Sequence, residues 1–248
     1  MKRKAILIHA AGQQTDKDYL EGAKADVKNF REYLNTNAGG AWEYHEIEVL
    51  ENKSKAEIMK AIAAAKSSDY TLVTASGHGH HVKGKGVDET RFCVNKIDEI
   101  AAHELNTGSS RCSVIIDCCR MVTIQMSLVE QWMTKAAMES RSEDIHRARF
   151  RAIYDDAVLG AEIGCSYFFS CDLNEAAQES KDGGYYSGAL ITCAEDWHSK
   201  SMGKGLAILD ILDAHRSAAE VVTKREPQQH PQHQAGRRRK YFPFGIAF

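Results

Sequence analysis

Two short motifs carry the residue types that a thiol-based reaction needs. The first is Ser76-Gly77-His78-Gly79 and the second is Asp117-Cys118-Cys119-Arg120, and each follows a hydrophobic run. A cysteine thiol has a pKa of about 8.5, so it needs a neighbouring base or a positive environment to form the nucleophilic thiolate. A histidine supplies either of these. The two motifs together predict a split Cys/His catalytic dyad.

The hydrophobic runs predict how the two motifs meet. Each run has the character of a buried strand, and in open α/β sheets ligands bind at the carboxyl ends of the strands. Two strand ends can therefore deliver the histidine and the cysteine to one cleft. The glycines on either side of His78 leave its ring accessible and its loop free to turn. The amide of Gly79 is a candidate donor to a developing oxyanion.

A metal site is the chemical alternative to a dyad. His78, His80 and His81, together with Cys118 or Cys119, offer soft and borderline ligands. They lack the CxxC or HExxH spacing of zinc sites, and adjacent cysteines point in different directions. Taken singly, a histidine after a strand is commonly structural, and a cysteine at a strand end is commonly a small apolar residue. We expect no resident metal.

Composition bounds the remaining possibilities. The chain has 248 residues, of which 43% are hydrophobic and 27% charged, which is enough for one full core and predicts a single domain over residues 1–248. A net charge of −2 gives no reason to expect nucleic acid or an anionic membrane as a partner. No apolar run approaches the roughly 20 residues that span a bilayer. We interpret the basic residues 237–240 as a solvated turn.

The cysteines indicate the compartment. Seven are present, an odd number, and they lack the dense spacing of a secreted disulfide scaffold. The sequence therefore predicts a reducing, cytoplasmic setting.

Short apolar runs alternate with helical periodicity, which predicts βαβ units and a mainly parallel sheet. An amphipathic helix is predicted over 20–34, a second helix after the capping box of Ser54 and Glu57, and a hairpin over 79–96. Further helices are predicted near 97–105, 185–198 and 203–223, a proline-containing loop over 226–232, and a last edge strand over 241–246. Strands are predicted near residues 4–9, 45–50, 69–75, 112–117 and 165–170.

The segment over 122–156 is long and helical in pattern. Its charged part, about residues 138–160, is predicted to be an exposed helical insertion that proteases can reach.

At this point the sequence resembles the caspase-like clan of cysteine peptidases, and within it the metacaspase and prokaryotic caspase-homologue group. The two motifs match that group's S-G-H-G and D-x-C patterns, and the resemblance covers about residues 4–246. Three further segments resemble family patterns: Leu20 to Val27, Tyr167 to Glu179, and Gly184 to Leu190. The resemblance implies a caspase-like three-layer sandwich, with a central sheet of about six strands and helices on both faces.

The resemblance also implies roles for individual residues. Cys119 would be the nucleophile, His78 the general base and Cys118 a non-catalytic neighbour. Asp117 and Asp26 would line the primary specificity pocket. Two carboxylates in a partly desolvated pocket favour a cationic side chain, so cleavage after Arg or Lys is expected.

Each pocket residue also has an ordinary explanation. Asp26 could be an exposed helix charge, and Asp117 a strand-end residue that bonds nearby backbone amides. Caspases that cleave after aspartate need basic residues, one of them an arginine just after the first strand. Residues 10–14 contain no arginine, so specificity for aspartate is disfavoured.

The charged insertion then acquires a possible role in self-processing. An enzyme that prefers arginine could cut itself there, where caspase-like proteins separate their larger and smaller portions. The alternative is a helix whose charges only keep it soluble. The candidate sites are Arg141, Arg147, Arg149 and Arg151.

Three classes of function remain open at this point. The first is a cysteine endopeptidase that acts on protein or peptide substrates without an organic cofactor. The second is a caspase-like pseudoenzyme or scaffold that binds a partner, and the third is the His/Cys metal-binding protein. An activating partner protein is possible. Calcium activation, which occurs in part of the family, has no recognisable loop here, although acidic residues near 88–99 and 172–182 leave it open.

Overall fold

A computed structural model of the chain describes residues 1–84, 86–123 and 144–248. None of the helices in this described part is long and apolar enough to cross a membrane. The α-helices are α1 (Glu21–Asn35), α2 (Lys55–Ala64), α3 (Asp144–Gly160), α4 (Tyr185–Ser201) and α5 (Ile211–Arg225). The strands, in chain order, are β1 (Arg3–Ala10), β2 (Ile47–Glu51), β3 (Tyr70–Gly77), β4 (Gly79–Gly84), β5 (Val87–Cys93), β6 (Glu99–Ala101), β7 (Arg111–Asp117), β8 (Val122–Thr123), β9 (Gly164–Phe169), β10 (Glu179–Ser180), β11 (Gly183–Gly184), β12 (Ala207–Asp210), β13 (Gln232–Gln234) and β14 (Pro243–Ala247).

The central sheet has six strands in the order β13-β9-β7-β3-β1-β2. All neighbouring strands are parallel except β13, which runs antiparallel to β9 at one edge. Every residue of β3 is buried, as expected for a strand covered on both faces, which needs an almost continuous apolar run. The predicted mainly parallel sheet of about six strands is confirmed.

Two apolar cores lie on opposite faces of this sheet. Because side chains alternate along a strand, Leu7 packs with α1, α3, α4 and α5, whereas Ile6 and Ile8 pack with α2 and the small sheet described below. The capping box of Ser54 and Glu57 starts α2 as predicted, with the Ser54 hydroxyl accepting from the Glu57 amide. Helices therefore cover both faces, which confirms the predicted three layers.

The small sheet has the order β6-β5-β4-β8, and its hairpin β4–β5 starts two residues after β3 ends. The predicted hairpin is confirmed. The predicted helix over 97–105 is wrong in its first half, because Glu99 and Ile100 pair with Cys93 and Phe92 as strand β6. Only residues 102–105 form a helical turn, of the 3-10 type.

The C-terminal elements differ from prediction in two places. The helix predicted from residue 203 begins only at Ile211, because residues 207–210 form β12, and Asp210 then caps α5 by accepting from two backbone amides. The predicted terminal strand exists as β14, but it pairs with β12 rather than with the central sheet. Just after the proline-containing loop, residues 232–234 supply the sixth central strand, β13.

The charged segment before β9 is not an exposed insertion where the structure describes it. Helix α3 covers residues 144–160 and buries Phe150, Tyr154 and Val158 in the core that contains Leu7. Charged residues are frequent in this segment, but its apolar residues have helical spacing. The i, i+4 spacing of those three residues gives the helix one buried face.

Candidate active site

The two motifs lie at adjacent strand ends. β3 and β7 are neighbours in the sheet, and Ser76 pairs with Asp117 in their parallel register. His78 lies two residues after Ser76, and Cys119 lies two residues after Asp117. The expected adjacency of the strand ends is therefore observed, and the loops that carry both residues leave the same edge of the sheet.

The imidazole of His78 is held by a backbone carbonyl group. Its Nε2 lies 2.7 Å from the carbonyl oxygen of Asp18, in the loop before α1. A carbonyl oxygen can only accept a hydrogen bond, so Nε2 carries the proton and donates. In a neutral ring this leaves the lone pair on Nδ1, which becomes the basic nitrogen. No sequence motif indicated Asp18, because the group it contributes belongs to the backbone.

The thiol of Cys119 is half-buried and donates towards the carbonyl oxygen of Ala177 over 3.9 Å. Burial raises the pKa of this thiol, and the negative charges of Asp117 and Glu179 raise it further, while the bond to Ala177 acts in the opposite direction. The thiol is therefore protonated at neutral pH. A reaction at Cys119 needs a base that removes this proton as the sulfur attacks.

Cys118 has a different environment. It is only 2% exposed, and burial raises the pKa of its thiol well above the ordinary range. Its Sγ packs against Gly79, where an added Cβ would collide with this sulfur and lie 2.8 Å from the carbonyl oxygen of Arg91. Glycine at position 79 is therefore required for close packing. Its role as an oxyanion donor stays a prediction.

Both aspartates assigned to the pocket are buried. Asp26 is 2% exposed and Asp117 6%, so the explanation of Asp26 as an exposed helix charge is wrong. The amide of Gly184 donates to Asp26 Oδ1 over 2.9 Å, and Ser187 donates to Asp117 Oδ2 from its amide and its hydroxyl over 3.0 and 2.6 Å. Gly184 lies between the two carboxylates, because a Cβ there would contact both.

These two aspartates influence each other electrostatically. Burial raises the pKa of Asp26 well above its usual value, and the charge of Asp117 raises it further. Burial also raises the pKa of Asp117, against the hydrogen bonds from Ser187 and Ser170. Two nearby carboxylates cannot both ionise easily away from water, so the charge of one disfavours ionisation of the other.

The structure adds a third carboxyl group, Glu179, to which the sequence interpretation gave no role. Burial, together with the charge of Asp117, raises its pKa to about 7, although the amides of Gly22 and Ala23 donate to it. We call Asp26, Asp117 and Glu179 the acidic cluster. A sequence signal existed, since Glu179 ends one of the segments that resembles the family pattern.

The histidines proposed as metal ligands do not converge. His78 bonds to Asp18, whereas His81 is buried and bonds to Asp88 over 2.7 Å and to Thr90. Cys118 is buried in the core. The alternative metal site built from His78, His80, His81 and a cysteine of the second motif is therefore not assembled in the described part of the chain.

The arginines proposed as self-cleavage sites are mostly engaged in contacts. Arg141 lies outside the described residues, and the other three lie in α3. Arg147 donates to the backbone carbonyl oxygens of Asn35, at the end of α1, and of Trp42. Arg151 forms an ion pair with the buried Glu46. The guanidinium of Arg149 lies 4.1 Å from the centre of an aromatic ring. The interpretation of these arginines as merely solvating charges is wrong for Arg147 and Arg151.

Comparison with known proteins gives a family match and similar solved structures. The caspase domain model matches residues 2–243, whereas no curated protein has a significant sequence match. Protein GSU0716 from Geobacter sulfurreducens is similar in structure, with a TM-score of 0.58, 18% identity and complete coverage of both chains (100% of each). Caspase-1 from Spodoptera frugiperda has a TM-score of 0.58 and 16% identity, over 96% of this chain and 90% of its own.

At these identities the structural matches show the fold alone, and they confirm the predicted caspase-like sandwich. The sequence match covers nearly the whole chain and supports a function of the cysteine-peptidase kind. The chain therefore belongs to the caspase domain family.

Proposed function

We propose that this protein is a cysteine endopeptidase that cleaves protein or peptide substrates after arginine or lysine. The observation that carries the proposal is the acidic cluster beside Cys119. The charges of Asp117 and Glu179 both act on the Cys119 thiol, so the cluster and the nucleophile are close in space. A substrate whose cationic side chain enters the cluster would bring its next peptide bond to the sulfur.

Catalysis follows from the tautomer of His78. Its unprotonated Nδ1 would take the proton from the Cys119 thiol as Sγ attacks the scissile carbonyl carbon. The carbonyl oxygen becomes an oxyanion, for which we propose the Gly79 amide as a donor. Collapse breaks the C–N bond, and His78 returns the proton to the leaving amine. Water then hydrolyses the thioester with His78 again as the base, which restores the thiol.

Charge selects the substrate side chain. Among the described residues, no lysine or arginine forms an ion pair with any member of the acidic cluster. Buried carboxylates without a cation are costly, so a guanidinium that binds them restores their ionised forms and gains bidentate hydrogen bonds. Gly183 and Gly184 of strand β11 cover Asp26. Entry of a substrate side chain therefore requires the β10–β11 hairpin to move.

A peptide panel that varies only the residue before the cut tests the proposal. We expect turnover with Arg and Lys, and none with Asp, because an aspartate would face three carboxyl groups. Cys119→Ala and His78→Ala should each lower kcat/KM by about 10³-fold or more. Cys193→Ala, which changes a partly buried thiol on α4, is the matched control and should keep full activity.

Two results would contradict the assignment. If Cys119→Ala were as active as the wild type, Cys119 could not be the nucleophile. A preference for Asp over Arg would leave the dyad in place but overturn the role of the acidic cluster.

A caspase-like scaffold without activity is the second candidate, and the hydrogen bond from Cys119 to Ala177 favours it. In this arrangement the thiol is turned towards a backbone carbonyl group and carries its proton. A peptide electrophile with Arg before the reactive group separates the two candidates. Covalent modification of Cys119 supports the peptidase, and an unmodified chain that still binds a partner protein supports the scaffold.

We also propose the cytoplasm as the compartment and a protein as the activator. All seven cysteines are free, which fits a reducing environment. We expect an activating partner to open the acidic cluster by moving the β10–β11 hairpin.

A further inference from the structure

We propose that His80, Cys93 and Glu99 form a binding site for a divalent cation of the Zn²⁺ class. Their donor atoms all lie within 4.8 Å of one another. The site lies on the small sheet that follows β3, and its residues are distinct from Cys119, His78 and the acidic cluster. The inference therefore does not depend on the proposed peptidase activity.

The register of the small sheet assembles the three donors. Cys93 lies directly opposite Glu99 on the antiparallel strands β5 and β6, and His80 lies opposite Arg91, two residues from Cys93. Positions two apart on a strand share a face, so His80, Cys93 and Glu99 project from the same side of the sheet. Phe92 alternates to the opposite side and is fully buried in the core.

The three donor groups are already in contact, with His80 meeting its two neighbours through different ring nitrogens. His80 Nδ1 lies 3.6 Å from Cys93 Sγ, and His80 Nε2 lies 3.5 Å from Glu99 Oε1. Zn–N and Zn–S bonds at tetrahedral angles place neighbouring ligand atoms roughly 3.4–3.6 Å apart. The imidazole bridges the thiol and the carboxylate, and a rotation of this ring would aim one nitrogen at a shared ion.

The chemistry of the donor set selects the ion. An imidazole, a thiol and a carboxylate are the three side-chain types that bind Zn²⁺, whereas Ca²⁺ and Mg²⁺ prefer oxygen alone. Three protein ligands leave the fourth tetrahedral position to water. All three residues are partly exposed, so an ion can reach them from solvent.

The side chain of Arg91 contacts Glu99 in a way that is compatible with ion binding. Arg91 Nη1 lies 3.3 Å from Glu99 Oε2, whereas Oε1 of the same carboxylate faces His80. Binding through Oε1 alone leaves the contact with Arg91 in place. Arg91 then orients the ligand from the outside, as partners of metal-binding carboxylates commonly do.

The site also connects to the candidate base. The Cys93 amide donates to the carbonyl oxygen of His78 over 2.9 Å. An ion bound to Cys93 would therefore be linked through this hydrogen bond to the backbone of His78. The imidazole of His78 would not be a ligand.

The test is a Co²⁺ titration of the metal-free full-length chain, because a thiolate ligand gives cobalt a charge-transfer absorption in the near ultraviolet. We expect this absorption in the wild type and its displacement by Zn²⁺. Cys93→Ser should abolish it, and His80→Asn and Glu99→Gln should each weaken binding by about tenfold or more. Circular dichroism checks folding, and if Cys93→Ser does not fold, the other two variants decide.

Three controls make the result specific. Cys193→Ser and His103→Asn change a cysteine on α4 and an exposed histidine outside the site, and both should bind as the wild type does. Cys119→Ser should also keep the absorption. The proposal is overturned if the wild type shows no thiolate absorption, if Cys93→Ser or His80→Asn binds unchanged, or if Cys119→Ser alone loses the signal.

Discussion

Ser76 and Asp117 lie directly opposite each other in the parallel pairing of β3 and β7. Both side chains point to the face that carries α1 and α4, since Ser76 bonds to Asp26 and Asp117 bonds to Ser187. Cys118, the first residue after the second strand, packs into the opposite core. Cys119 then returns towards the side of the acidic cluster. The two adjacent cysteines therefore lie in different environments.

These environments predict different outcomes for the two thiols. A peptide electrophile should modify Cys119 and leave Cys118 unmodified, as peptide mass mapping would show. Cys118→Ala should keep the electrophile reaction but lower the free energy of unfolding by about 1–2 kcal/mol, because it removes a buried sulfur packed on Gly79. Modification of Cys118 in preference to Cys119 would contradict the assignment.

The acidic cluster predicts that neutralising one carboxylate weakens recognition of arginine. Asp117→Asn and Asp26→Asn keep the side-chain shape and remove a charge that would bind the guanidinium. We expect kcat/KM for an Arg substrate to fall by about 10²-fold, which corresponds to about 3 kcal/mol. Glu32→Gln, on the exposed part of α1, is the matched control. An equal loss with a neutral substrate would mean that the aspartates support the fold rather than selectivity.

Glu179 predicts a pH dependence of selectivity. Its raised pKa of about 7 means that the carboxyl group is neutral at lower pH and charged at higher pH. The ratio of kcat/KM for an arginine substrate to that for its neutral isostere citrulline should therefore rise about tenfold from about pH 6 to about pH 8. The two substrates differ only in the charge of one side chain, so the pH dependence of every step that they share cancels in the ratio. Glu179→Gln should flatten the profile, and a profile unchanged by this substitution would exclude Glu179 from recognition.

Much of the fold could be predicted from the sequence because the central strands are buried on both faces. β1 and β7 contain uninterrupted apolar runs over residues 5–8 and 114–116, and such runs have few other stable placements. The short elements could not be predicted in the same way. β12 and β13 are only four and three residues long, and they form through pairing with distant strands, β14 and β9.

The candidate site likewise contains residues that could be predicted from the sequence and residues that could not. His78 and Cys119 could be identified because their motifs directly follow predictable strands. Asp18 could not, since it acts through a carbonyl group that every residue possesses. His80 and Cys93 are also separated along the chain, and only the register of β4 and β5 brings them together. A spacing rule for metal motifs does not detect such a pair.

The ion pairs under α3 predict a stability effect. Glu46 is buried and binds both Arg3 and Arg151, and the Arg3 side chain is also buried. Glu46→Ala leaves a buried guanidinium without this partner, so we expect the free energy of unfolding to fall by about 3 kcal/mol in urea titrations. Glu48→Ala, which breaks an exposed pair with Lys4, should cost about 1 kcal/mol or less. Equal losses in the two variants would mean that burial does not strengthen the first pair.

The same contacts predict where self-processing would occur. A peptidase binds its substrate in an extended form, so a cut after Arg147 or Arg151 requires part of α3 to unfold and its arginines to leave their partners. Arg141 precedes α3 in the sequence, and a cut after it leaves the contacts of Arg147 and Arg151 in place. We expect the wild type to yield fragments divided after Arg141, and Arg141→Gln and Cys119→Ala to stay intact in mass spectra.

Two outcomes of that experiment are decisive. Fragments that end at Arg147 or Arg151 would show that α3 opens readily, against the burial of Phe150 and Tyr154. Wild-type protein that stays as intact as Cys119→Ala would reject self-processing altogether. In that case activation would depend on opening the acidic cluster and not on cleavage of the chain.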